Sequence, residues 1–501
     1  MKGHEMIETN TKFSVIVRNG VPIVARETSD PRVAIKGWID EADKINSGAR
    51  IEWDCIRGLC GLNEKGEAVV SSIQLDPALP LDMVLANLCT KSEQDMIVFV
   101  HNAHLFMESG NQRALTIQSI WNLRDVFKAR GSTCVLLSPL WKLPEELRHD
   151  IVMVSEPLPL ADELEEVVKK TIKCASVEEK PANVKKAATG LLGCSAFAAE
   201  QFCAMSIRKS GIDLSEIARL RRSYIAQLPG VEIRDDDMSF SDVKGYKIVK
   251  ELLQRKISGK RPPQIVVWWD EIEKAISASG SDLSGVTQDQ IGVLLTWMQD
   301  RLNQNRLAAM LFVGFPGTGK SAIASATRNE SKCECVRMDF GGMKDSLVGG
   351  SEARIRAALK GIDAIGGGQI LVIATCNNAA NLPSALTSRF ALGTYFFDLP
   401  SAEEGAELWK IKKTKYGISP SEKVPESAGW TGREIQQCCF VSDDLGVSLI
   451  EASKYITPFV ATGAVEIEAL RNAASGRYLS ASKQGLFRKE KEVTEGRRFA
   501  R

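Results

Sequence analysis

The chain has 501 residues with 64 lysines and arginines against 63 acids, a net charge of +1 that gives no global pull toward nucleic acid or a membrane surface. No apolar run approaches the roughly 18 residues of a membrane span, and the start, Met1-Lys-Gly-His-Glu-Met-Ile7, lacks the apolar core of a secretory signal. Twelve cysteines lie scattered with no C-x-x-C pair, and Cys333-Glu-Cys335 and Cys438-Cys439 are too close-set for a metal framework, so the cysteines read as free thiols of a reducing, cytoplasmic setting. A chain of this length is expected to hold about three or four structural units.

The first unit spans residues 1–160 and reads as α/β. Phe13–Val17 and Pro22–Ala25 flank Asn19-Gly20, which predicts a hairpin. Met96–Val100, Ala114–Phe127 and Cys134–Leu137 then alternate as strand, amphipathic helix and strand. The first of these strands has the hydrophobic shape of an acidic-strand motif but ends in His101-Asn-Ala-His104, and no phosphate loop precedes it. His101 and His104 read as a polar strand-to-helix loop, with metal ligation as the alternative. Residues 161–238 are helical in pattern over Glu163–Ile172 and Ala196–Ile207, with Pro181 as the break between them.

Gln264–Trp269 is an apolar strand that delivers Asp270 and Glu271 to its carboxyl end. Met310–Val313 is a second apolar strand, and it runs into Gly314-Phe-Pro-Gly-Thr-Gly-Lys-Ser321 and a helix. In a G-x-x-x-x-G-K-[ST] loop the glycines let backbone N–H groups turn inward around phosphates, a lysine reaches the β- and γ-phosphates, and a hydroxyl ligates Mg2+. Gly314, Pro316, Gly317, Thr318, Gly319, Lys320 and Ser321 are therefore the expected nucleotide-binding set. Ser321 and Asp270 are the expected Mg2+ ligands, since hard carboxylate and hydroxyl oxygens suit that ion. Glu271 is placed to orient an attacking water. Ile370–Ala374 reads as another buried strand, Thr394–Phe397 as the last of the sheet, and Ala402–Leu470 as helical. Residues 477–501 carry eight Lys/Arg and three Glu, and are expected to be a basic, solvated tail.

Seven stretches jointly resemble the AAA ATPases over residues 239–460. They are Ser239–Gly245, Asp270–Ile276, Gly314–Ser321, Leu347–Glu352, Ala374–Asn377, Ser388–Phe390 and Gly429–Ile435. The resemblance implies an AAA core over 239–400, with a P-loop NTPase parallel sheet in strand order 5-1-4-3-2, and a helical lid over 401–476. It departs from the family in one respect: the Asp270-Glu271 strand precedes the phosphate loop instead of following it. Cutting where helices return to strands moves each strand–loop–helix unit intact, so an ordinary site from a permuted connectivity is the expectation. The resemblance also implies that Asn377 is a sensor of the attacking water and Arg389 an arginine finger acting on a neighbouring subunit. Gly432 and Arg433 take the place of a second sensor. The cofactors are then ATP and Mg2+, and the assembly a homo-oligomeric ring, six-membered in the family. At the pore-loop position, where threading members carry an aromatic residue, this chain has Leu347. The first unit resembles the nucleotide-free α/β domain that some chloroplast and cyanobacterial AAA proteins carry ahead of the motor. The implied function is an ATP-hydrolysing ring that remodels a protein partner, with a slow ATP-dependent scaffold or switch as the alternative. Neither a membrane nor nucleic acid is an expected partner.

Overall fold

The computed structural model describes all residues except 1–12, 43–47, 72, 92–94, 108–111, 140, 142, 156–157, 228–229, 234–237, 277–285, 332, 341–349, 367, 378–381 and 490–501. Leu347 of the pore-loop motif and the last part of the basic tail lie outside the described residues. Two compact units divide the chain, Met1–Ile217 and Ala218–Arg501. Among the described residues no helix is long and apolar enough to cross a membrane. All twelve cysteines are free thiols.

The first unit is built on seven strands: β1 (Ile23–Glu27), β2 (Ala49–Asp54), β3 (Gly58–Leu62), β4 (Ala68–Val69), β5 (Met96–Val100), β6 (Thr133–Ser138) and β7 (Val152–Ser155). They lie in the order β4-β3-β2-β5-β6-β1-β7, parallel from β2 to β7, with β3 and β4 antiparallel at one edge. β5 and β6 are buried along their whole length, as continuous apolar runs in a doubly covered parallel sheet must be. The expected hairpin at Asn19-Gly20 does not form. Phe13–Arg18 is a helix, and β1 pairs instead with β6 and β7. Gly20, at φ +58°, ends that helix in a Schellman motif, with Val21 N–H donating to the Ile16 carbonyl at 3.2 Å. An αL glycine serves a helix end as well as a tight turn, which is why the sequence signal misleads.

Helices Ala161–Cys174, Pro181–Gly190, Ala196–Ser206 and Leu214–Ile225 follow, with a small ladder of β8 (Ile207–Arg208) and β9 (Gly211–Ile212). Pro181 does break the helical run, but as the first residue of a helix of its own, where its missing N–H costs nothing.

The second unit contains β10 (Val231–Ile233), β11 (Ile265–Trp269), β12 (Leu307–Gly314), β13 (Glu334–Met338), β14 (Ile370–Cys376), β15 (Thr394–Phe397) and β16 (Leu479–Ser480). They lie in the order β10-β13-β11-β14-β12-β15-β16, and all neighbours are parallel except β10 with β13. β11 and β12 therefore flank β14 although they are consecutive in the chain. If the phosphate-loop strand β12 is numbered first, the five central strands read 5-1-4-3-2, with β11 in third place. The same numbering applied to β7-β1-β6-β5-β2 of the first unit gives the same order, there in unbroken chain sequence.

The helices expected to form the lid, Ala402–Lys415 and Gly432–Leu445, share a core of Trp409, Trp430, Ile435, Cys438 and Leu449. After the last lid helix, Ala464–Ala474, the chain does not leave as a free tail. β16 pairs in parallel with β15, the Ala481 N–H donates to Phe396, and the Phe487 ring packs on Phe396 at 4.4 Å. The basic residues hid this short strand, since only two residues of it enter the ladder.

Glu52, on β2, is fully buried, ion-paired to Arg32 and Arg57 at 3.2 and 3.0 Å, and hydrogen-bonded to His101 Nε2 at 3.0 Å. Burial alone would raise its pKa, but the His101 hydrogen bond and the two guanidinium charges outweigh that and hold it below the ordinary glutamate value. A depressed carboxylate pKa stabilises the fold above the unfolded-state value and ceases to do so as the pH falls through the folded one. Glu52→Gln should therefore cost about 1–3 kcal/mol near neutrality, with Arg32 and Arg57 half exposed and able to turn to water. In urea melts the deficit should shrink as the pH drops below the ordinary glutamate range; a deficit independent of pH would contradict the assignment.

Candidate nucleotide site

The site gathers at the carboxyl ends of β11, β12 and β14, where ligands bind in open α/β sheets. β12 is buried throughout and ends at Gly314, where a Cβ would stand 2.2 Å from the Phe397 carbonyl oxygen, so only glycine lets the strand pass β15 so closely. The loop beyond turns through Gly317 and Gly319 at φ +81° and +90°. Thr318 is buried and donates its hydroxyl to Phe315 O at 2.8 Å, and Pro316 is exposed at the loop tip. Lys320 opens the helix Lys320–Ser331, and its Nζ curls into the loop to donate to Gly314 O and Phe315 O, both at 2.7 Å. Burial pushes its ammonium down to about 8 against the opposing pull of nearby acids that include Glu273 and Asp270. A cation held within a glycine-bent loop is a cradle for phosphate oxygens.

The acidic strand arrives beside this cradle. Ser321 Oγ donates to Asp270 Oδ1 at 3.4 Å, across 51 residues in reverse chain order. The same oxygen accepts from Thr375 Oγ1 at 2.9 Å. Asp270 Oδ2 accepts two bonds from Arg337, from Nε at 3.2 Å and Nη2 at 2.8 Å. Glu271 sits in the left-handed region at φ +48°, a conformation worth about 1–2 kcal/mol of strain for a non-glycine residue. Its N–H is held by Thr375 Oγ1 at 3.1 Å, and the N–H of Ile272 by the Thr375 carbonyl at 3.0 Å. Glu271 Oε1 accepts from Asn377 Nδ2 at 3.1 Å, and Lys274 pairs with its other oxygen. The Asn377 N–H is in turn fixed by Glu273 Oε1 at 2.9 Å.

The C-terminal helices reach the loop at Phe459, whose ring lies 6.0 Å from that of Phe315, and at Thr431 and Arg433. Thr431 caps the helix Gly432–Leu445 in a capping box with Glu434. A Cβ on Gly317 would meet Thr431 Oγ1 at 2.9 Å and Arg433 Cβ at 3.0 Å, so Gly432 and Arg433 stand against the phosphate loop. The positive charge of Arg433 is felt at Lys320, although its own side chain is exposed. On the other flank Tyr246, just after the Ser239–Gly245 motif, donates its hydroxyl to Thr318 O and packs on Phe397 at 4.4 Å. An open cavity of about 460 Å³ between Lys244–Lys250 and Glu404 and Glu407 of the lid is mixed in charge and contains none of the phosphate-loop residues.

Of the residues singled out in the sequence, Asp270, Glu271, Asn377, Ser321, Lys320 and the loop glycines are thus brought together, with Arg433 at their edge. Arg389 does not join them: its Nη1 turns back onto the Ala385 carbonyl beside the short helix Ser384–Thr387. Thr375, Arg337 and Glu273 were missed. Thr375 and Arg337 are polar interruptions of apolar strands, the one signal that could have found them. The donor set suits a nucleotide with a divalent cation: hard oxygens from Asp270 and Ser321 side by side, next to a lysine.

The first unit carries a counterpart without that chemistry. Asn102 follows β5 in the left-handed region at φ 50°, as Glu271 follows β11. His101 holds the place of Asp270. Glu52 faces Phe99 across the ladder just as Arg337 faces Trp268, so the Arg337–Asp270 pair is replaced by Glu52–His101 with the polarity reversed. His104 does not join His101; its ring lies against Trp141, and among the described residues no group of three or more His, Cys, Asp or Glu side chains could hold a metal.

Residues 9–156 match the family model of the SpoVK-like AAA ATPase N-terminal domain, and residues 310–366 that of the ATPase family associated with various cellular activities. The second match begins inside β12 and ends with the helix Gly350–Gly366, so the Asp270 strand falls outside it. The uncharacterized AAA domain-containing protein ycf46 of Guillardia theta is 21% identical over 535 residues, covering 92% of this chain and 94% of that relative. Its namesake in Gracilaria tenuistipitata var. liui is 24% identical over 400 residues, covering 68% and 72%. The chain thus carries a SpoVK-like AAA N-terminal domain and a stretch of the AAA family, each over part of its length, and is distantly homologous to the ycf46 AAA proteins.

Proposed function

We propose that the second unit binds ATP with Mg2+ and hydrolyses it, and that the chain works as a self-assembled ring that remodels a protein partner. The observation that carries the reading is the convergence of Asp270 on Ser321 and of Glu271 on Asn377 at 3.4 and 3.1 Å, from segments whose chain order is transposed. The loop amides and Lys320 would hold the phosphates, and Ser321 and Asp270 the metal. Bound MgATP supplies the γ-phosphoryl group that passes to water. Glu271 Oε1 and Asn377 Nδ2 lie 3.1 Å apart, so one water would be in reach of both, oriented by them and with Glu271 accepting its proton. Thr375 stabilises this arrangement by fixing Asp270 and the strained Glu271 backbone together. Arg389, turned away from its own site, is free in this reading to serve a neighbouring subunit. Residues 1–160 select the partner, 161–238 link, 239–400 form the motor and 401–476 the lid. In this reading six subunits follow the family, and the ring works in the cytoplasm.

Lys320→Ala should abolish ATP binding in a fluorescent-nucleotide titration; retained binding would remove the phosphate-loop assignment. Glu271→Gln should bind ATP and turn it over roughly 10²–10⁴-fold more slowly. Normal turnover in that variant would mean that the transposed strand is not the catalytic one. Arg389→Ala should bind but not hydrolyse, and mixing it with Lys320→Ala subunits should restore part of the rate; two inactive partners that stay inactive when mixed speak against a finger acting in trans. Steady-state turnover per subunit should climb steeply with protein concentration. Leu347, where threading relatives have an aromatic residue, favours a second reading, a slow switch or scaffold, and intact binding with negligible turnover at every concentration would select it.

A further inference from the structure

The Mg2+ side of the site contains a cation of its own. Arg337 extends from β13, directly opposite Trp268 in the ladder, and its guanidinium lies 5.4 Å from the centre of that ring. Two of its N–H groups end on the single oxygen Asp270 Oδ2, and Nη1 reaches Glu232 Oε2 on β10 at 3.1 Å. The guanidinium is thus held on three sides, by an aromatic face, an inner carboxylate and an outer one. A planar fork used in this way fixes orientation as well as charge. Asp270 is left with one oxygen, Oδ1, facing Ser321 and Thr375.

We propose that Arg337 is a positioning residue for Asp270: it occupies Oδ2 so that Oδ1 alone is offered to the divalent cation beside Ser321. The proposal rests on the reading of the site as a Mg2+-nucleotide site. A carboxylate free to rotate could present either oxygen or both, and would lose hydrogen-bonding registry with Ser321. Arg337 removes that freedom before the cation arrives, and Glu232, half exposed at the sheet edge, holds Arg337 from outside. A guanidinium beside the site also opposes a divalent cation electrostatically, so orientation must outweigh repulsion for the arrangement to favour metal binding. The sign of the effect is what an experiment can read.

The test measures the affinity of the full chain for a fluorescent, non-hydrolysable ATP analogue in Mg2+ and in EDTA, and takes the ratio. Arg337→Met should leave metal-free binding unchanged and cut the Mg2+-dependent tightening roughly 10-fold, as loss of a partner behind a metal ligand does. Arg337→Lys should recover only part of it, since an ammonium keeps the charge but not the fork. An unchanged or larger ratio in Arg337→Met overturns the proposal; a larger one would mean that the guanidinium competes with the metal. Should Arg337→Met lose metal-free binding as well, Glu232→Gln carries the same measurement: a reduced ratio supports positioning and an unchanged one refutes it. A wild-type chain that binds the analogue no tighter in Mg2+ fails the reading of the site itself, which is a distinct result.

Discussion

Everything at the site depends on β14 bonding to two strands at once. Ile370 lies opposite Ile265 on one side and Leu307 on the other, and the ladder continues on both sides to Ala374. That double register decides which residue of β11 ends level with which residue of β12. It brings Asp270 to Ser321, and it puts Thr375, one step beyond the last paired residue of β11, under both Asp270 and Glu271. A one-residue slip would turn every side chain of β14 to the opposite face and carry Thr375 away from the acids. Chain order does not enter into this. The phosphate loop and the acidic turn each travel with their own strand, and the strand between them sets their meeting.

Because five strands of each sheet share one order, the molecule contains its own control. In the second unit the strand-end carboxylate is held by an arginine and keeps one oxygen toward a lysine-lined loop. In the first, the carboxylate has moved to the neighbouring strand, where Arg32, Arg57 and His101 surround it, and Thr28 to Asp30 replace the glycine-rich loop after β1. Its charges pair with one another and tie the turn after β5 to β2. The left-handed turn after the third strand survives in both, at Glu271 and Asn102. Asparagine tolerates that conformation better than glutamate, so the first unit keeps the turn with less strain.

The phosphate loop was legible because its chemistry lies in local spacing: glycines, lysine and hydroxyl within eight residues. Asp270, Glu271 and Asn377 were legible because each follows an unmistakable apolar strand. The roles of Arg337 and Thr375 were not, since they are set by register between segments about 67 and 105 residues apart, which no local pattern records. Asn19-Gly20 was misread because a positive φ is equally at home in a hairpin and at a helix end. β16 was missed because its partner, β15, supplies most of what makes it a strand, while its own neighbourhood reads as charged and polar.

That last strand makes the second sheet complete only when residues beyond Ala474 have arrived. Until Leu479–Ala481 are laid down, the outer side of Thr394–Phe397 presents a bare row of amides and carbonyls. Such a row is a template for the edge of another chain. A product that stops within the lid would carry an intact phosphate loop and an intact acidic turn, yet also an adhesive margin prone to self-association. The short strand after these helices therefore covers that margin with a ladder of its own.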